Sequence, residues 1–354
     1  MNLTIEEKIG QMIMVGINSD KIDCLYELIR KYKIGGVILY KKNYSSYEDM
    51  ISVINKLKDA NKENKIPLFI AIDQENGKVN RLPDEFINIK NIFDVSNKND
   101  ITLVEKDANI ISKLLVKSGI NMNFAPVLDI YNDSNNKALY KRCFSSDVDI
   151  VSDYGVKYMK KIQENKLIPV VKHFPGHGSS NKDSHIFVPY IFNYNDILNK
   201  HIIPFKKAID NGCDAIMVGH LIIRKLTYGL PASLSKPFIQ TYLRENFKYD
   251  GVIISDDIKM LYKNPIYRFK ALEKAFFVGN DIVLFKYDNE DEKVINSLVD
   301  NLKNNDSLLK EINRSVDRII KLKNKYNITD EFKQNKINID KYNEEVEKFN
   351  EIIN

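Results

Sequence analysis

The 354-residue chain predicts a single α/β domain, an eight-stranded parallel TIM (β/α)8 barrel with a C-terminal helical tail. Three observations lead there. Short apolar runs rich in Val and Ile alternate with longer amphipathic stretches. The runs almost lack the polar alternation of a half-solvated sheet, so both faces of the sheet are expected to be covered. Nearly every residue able to do chemistry sits at the C-terminal end of such a run, the face on which parallel barrels build their sites.

In chain order the expected strands are GGVILY (35–40), PLFIAID (67–73), INMNFAP (120–126), LIPVVKH (167–173), DAIMVGH (214–220), GVIISDD (251–257) and DIVLFK (281–286). PASLS (231–235) is the weak eighth. Helical patterns fall between them at 101–118, 149–165, 197–211, 236–247 and 267–279. A doubly wound open sheet is the alternative, but no Gly-rich dinucleotide fingerprint follows the first run. The barrel is assigned to residues 1–325. Beyond Tyr326 the chain turns polar, and 326–354 reads as a tail ending in the amphipathic helix IDKYNEEVEKFNEIIN.

Composition excludes several partners. The net charge of +5 comes from 53 basic and 48 acidic residues dispersed along the chain, which does not make a nucleic-acid surface. MNLTIEEKIGQMIMVG lacks a basic leader before a long apolar core, and no later stretch is apolar enough to span a bilayer. Cys24, Cys143 and Cys213 are odd in number and far apart, which argues against a disulfide framework and a CxxC metal site. A cytoplasmic, reduced monomer is expected.

The stretch VKHFPGHGSSNKDSH (171–185) holds His173, His177 and His185, three of the five histidines. A metal site would use the i, i+4 pair His173 and His177, but Pro175 and Gly176 interrupt any helix between them. A polar loop with histidines bonded to backbone is the bland reading. A catalytic loop is the third: Asp183 can accept from one nitrogen of His185, leaving the other to carry a proton. The opposite partner would be Asp256, at the end of GVIISDD.

These residues together resemble a known family. KHFPGHGSSNKDSH is similar to the KH(F/I)PGHG…DSH signature of family 3 glycoside hydrolases of the β-N-acetylglucosaminidase (NagZ) type. AIDQENGKVNRL (71–82), NFAPVLDI (123–130), KRCF (141–144), PASLS and SDDIKM (255–260) follow in family order. The resemblance implies a TIM barrel that removes a non-reducing terminal N-acetylglucosamine with retention, from peptidoglycan fragments, without metal or cofactor. Carried over by position, Asp256 is the nucleophile, His185 the general acid/base and Asp183 its dyad partner. Asp73, Arg81, Arg142, Lys172 and His173 bind the sugar, work that suits charged groups fixed on strand ends. Asp257 is expected to be structural, His177 to shape its loop by hydrogen bonding, and His201 to start a helix. The chain departs from the family at Asn76 and Lys78, in DQENGKV where DQEGGRV is usual. It departs again at LYKRCF before the arginine and at LYKNPIYRF after Met260. Two alternatives stand beside the glycosidase: a phosphorylase giving a sugar 1-phosphate, and a catalytically silent sugar-binding barrel.

Overall fold

The computed structural model describes residues 2–131, 136, 138–179, 189–191, 193–261, 265–288, 291–302, 306–332 and 337–354. The wall is made by β1 (Ile13–Gly16), β2 (Gly36–Leu39), β3 (Phe69–Ile72), β4 (Met122–Asn123), β5 (Ile168–Phe174), β6 (Ala215–Val218), β7 (Val252–Ser255) and β8 (Val283–Lys286). They pair in the order β8-β1-β2-β3-β4-β5-β6-β7, every pair parallel. A parallel bridge between Ile254 and Ile282, with the Ser255 amide donating to the Ile282 carbonyl at 3.0 Å, joins β7 to the start of β8 and closes the ring. Strand residues are buried almost throughout, as uniformly apolar runs require of a parallel sheet covered by helices.

The expected strands at 35–40, 67–73, 120–126, 167–173, 214–220, 251–257 and 281–286 all appear. The eighth does not come from PASLS. It is IMVG, which follows directly on the helix Ile5–Gln11 with its Thr4/Glu7 capping box. A four-residue run abutting a helix has no period of its own to reveal it. PASLS instead forms a 3-10 turn at Ala232–Leu234. Pro231 has no N–H for a ladder, and the turn packs under the end of β6, with the Ala232 amide on the Leu221 carbonyl at 2.8 Å.

The helical patterns at 101–118, 149–165 and 267–279 appear as Ile101–Lys117, Val148–Glu164 and Pro265–Phe277. Residues 197–211 divide into a π-helical segment, Ile197–His201, and an α-helix, Ile203–Asp210, with Pro204 in its first turn. His201 therefore ends a segment where the sequence suggested a start; it is fully buried, with Nε2 3.2 Å from Asp196 Oδ2. The final helix, Ile339–Ile353, buries Tyr342, Val346, Phe349 and Ile353 in the same core as the barrel helices. No helix among the described residues is long and apolar enough to cross a membrane.

Candidate active site

A cleft of about 350 Å³ opens at the C-terminal ends of the strands. Asp73, Arg81, Arg142, Lys172, His173 and Asp256 all line it, so one cleft gathers six of the residues singled out in the sequence. Asp183 and His185 lie outside the described residues.

Three chain segments build the charged floor. Asp73 follows β3, and Lys172 and His173 lie near the end of β5, joined by a cis peptide. Lys172 is almost fully buried, with Nζ 2.5 Å from Asp73 Oδ1 and paired as well to Glu75 Oε1. Glu75 also takes a two-pronged bond from Arg142, Nε and Nη2 each at 2.7 Å. Burial pushes the Glu75 carboxyl up, but Arg142 and Lys172 outweigh it and hold the group well below the ordinary carboxylate range. Arg142 gives a third bond to the Ala138 carbonyl at 2.9 Å, which leaves two of its five N–H groups uncommitted to these partners. Asp73 keeps an open side: its side chain is 22% exposed, and Arg81 Nη2 stands 3.8 Å from Oδ2.

Asp129, after β4, is the second organiser. It is fully buried and accepts from His173 Nδ1 at 2.7 Å and from the His177 amide at 2.6 Å. Burial pushes its carboxyl up, and the two histidines reverse the shift to below the usual value. An ionised carboxylate can only accept, so Nδ1 of His173 carries the proton and Nε2 is left to the cleft. The i, i+4 pair is thus tied to Asp129 on a strand end and a 3-10 turn, His177–Ser179. The loop is shaped through the backbone of His177. That amide makes the hydrogen bond expected of the residue, while neither ring nitrogen of the buried side chain meets a partner among the described residues.

Asp256 follows β7, its amide on the Val218 carbonyl at 3.0 Å and its Oδ1 accepting the Asp257 amide at 2.8 Å. Burial raises its carboxyl pKa, but His220, His173, the Asp257 amide and Lys172 together bring it below the usual value. The acid is therefore ionised and faces the cleft. His220 is held by Ser233 Oγ at 2.6 Å and by the Asp257 carbonyl at 2.9 Å, which explains what the PASLS turn contributes. Asp257 caps the 3-10 turn Ile258–Met260 through the Lys259 amide and also accepts the Lys286 amide at 3.2 Å, as expected of a structural residue, while still lining the cleft. Glu75 and Asp129 were not singled out in the sequence. Both sit inside recognised stretches, but an acid two residues past Asp73 carries no sign that its partner is Arg142.

Beyond geometry, the model of the glycosyl hydrolase family 3 N terminal domain matches residues 4–322. The chain belongs to glycosyl hydrolase family 3. Among its relatives, Beta-hexosaminidase A of Pseudoalteromonas piscicida is 31% identical over 337 residues, 85% of this chain and 55% of that one. The Beta-hexosaminidase of Hydrogenovibrio crunogenus is 33% identical over 235 residues, 64% of each. The chain thus spans less than two thirds of the length of either. Among solved structures, a family 3 beta-N-acetylglucosaminidase from Paenibacillus sp. str. FPU-7 superposes with a TM-score of 0.90 at 28% identity, over 99% of this chain and 69% of that one.

Proposed function

We propose that this family 3 hydrolase is a retaining exo-β-N-acetylglucosaminidase acting on fragments of peptidoglycan that end in N-acetylglucosamine. One observation carries the reading: an ionised carboxylate, Asp256, faces a cleft whose other wall offers both charge signs in fixed positions. Binding a neutral sugar requires no such anion, whereas displacement at the anomeric carbon does.

Asp256 attacks the anomeric carbon, and the bond to the leaving oxygen breaks as His185, oriented by Asp183, gives that oxygen a proton. His185 then takes a proton from water, whose oxygen replaces Asp256 at the same carbon and returns the configuration to that of the substrate. Asp73 and Lys172 bind sugar hydroxyls, with Arg81, Arg142 and His173 completing the grip. Glu75 and Asp129 act one step back, fixing the cations and His173. The reading places the enzyme as a monomer in the cytoplasm, where such fragments would be recycled and whose reducing conditions suit three free cysteines.

The test is hydrolysis of aryl β-glycosides differing at the 2-substituent, with and without phosphate, and with intact-mass detection of a glycosyl adduct on Asp256. The N-acetyl substrate should be preferred, and the sugar should be released unphosphorylated. Preference for a 2-hydroxyl, or release as the 1-phosphate, would overturn the reading.

A further inference from the structure

Asn76 is an L-residue at φ 70° in the turn that carries Asp73 and Arg81. Glycine would adopt this conformation without a steric penalty, so the asparagine side chain must return something. It is buried and makes two bonds: Oδ1 accepts from Gln74 Nε2 at 2.9 Å, and Nδ2 donates to Asp107 Oδ1 at 2.8 Å. Gln74 continues the relay, its Oε1 accepting the Arg81 amide at 2.7 Å. At the far end Asp107 is fully buried on the helix Ile101–Lys117. Its other bond is a longer one, 3.3 Å from Tyr158 Oη, and its Oδ2 meets no partner among the described residues. Packing alone would fill such a site with an apolar side chain, since a poorly partnered buried carboxyl is costly.

We infer that Asn76 and Asp107 form one positioning pair that sets the sugar-binding turn, each depending on the other. Gly77, next in the turn, fixes its path: a Cβ there would lie 2.4 Å from Asn91 Cβ. The pair then braces the opposite side, and through Gln74 it fixes the backbone of Arg81, whose carbonyl is pinned from outside by Tyr44 Oη at 2.7 Å. Burial pushes the Asp107 carboxyl up to about 8, so it serves at neutral pH as an uncharged partner that needs no counter-ion.

The consequence for the sugar rests on the function proposed above; the pair itself does not. Four variants test both: Asn76→Gly, Asp107→Ala, the double variant, and Asp107→Asn, which keeps the acceptor oxygen. The first readout is amide hydrogen exchange of the peptide 73–82, and the second is kcat and KM on an aryl β-N-acetylglucosaminide. Each of the first two variants should exchange about tenfold faster and raise KM roughly fivefold with kcat within about twofold, while the double variant is no worse than either. Asp107→Asn should match the wild type. Unchanged exchange in the single variants, additive losses in the double, or an Asp107→Asn as impaired as Asp107→Ala would each overturn the pair. Altered exchange with a wild-type KM would overturn its positioning role. A wild type with no turnover would sink the proposed function, and exchange would still decide the pair.

Discussion

Two lysines of the barrel are equally buried and do opposite work. Lys323, on the helix Asp306–Lys325, enters the N-terminal end of the barrel. Its Nζ gives three bonds to neutral oxygens: Gln11 Oε1 at 2.8 Å, the Gly35 carbonyl at 3.0 Å and the Pro67 carbonyl at 2.7 Å. It also lies 4.4 Å over the ring of Phe69. Burial pulls its pKa down to about 7, with Asp330 opposing. Every donor is spent, and nothing is left for a ligand. Lys172, at the other end, is held by two carboxylates, and one of them, Asp73, opens on the cleft. Burial of a charge is therefore no mark of function by itself. What separates the two ends is whether directional bonding capacity remains unspent where solvent or a sugar can reach it.

The largest effect that could break this contrast is at Asp256. Asp256→Ala should lower turnover of aryl β-N-acetylglucosaminides by about 10⁴-fold or more, with the melting temperature preserved. Near-normal turnover in a folded variant would remove the nucleophile from the reading. His185→Ala should slow glycosides with poor leaving groups by roughly 10²–10³-fold and activated aryl ones by far less, because only the former need a proton. Asp183→Ala should repeat the pattern more mildly, and equal damage to both substrate types would make His185 a binding group.

The lysines themselves sharpen the comparison. Lys172→Met should cut kcat/KM by about 10²-fold, whereas Lys323→Met should leave kcat/KM intact and lower the unfolding free energy by roughly 3 kcal/mol by stranding buried carbonyls. Denaturant melts and steady-state kinetics on both variants decide this, and a Lys323 variant defective in kinetics alone would reverse it. The smallest effect concerns pH. Asp107 titrates near 8 in the fold and near 3.8 unfolded, so between these values the folded state binds the extra proton and stability falls as pH rises. Asp107→Asn removes that loss. Its stability relative to the wild type should grow by about 2–3 kcal/mol from pH 5 to pH 7 and level off above pH 8. A pH-independent difference would show that the carboxyl is ionised in the fold.

By itself the sequence determined the barrel, seven of its strands and the strand-end rule that brought Asp73, Lys172, His173 and Asp256 to one cleft. Those features are local: a burial period and a position within a run can be read over a few residues. Tertiary structure decided the rest. It supplied β1, which has no period to read, and it turned PASLS from a strand into the support of His220. It chose Glu75 for Arg142 across 67 residues, Asp129 for His173 across 44 and Asp107 for Asn76 across 31. A buried polar group must find a partner, but which one it finds depends on the closed barrel that brings distant strand ends within hydrogen-bonding reach.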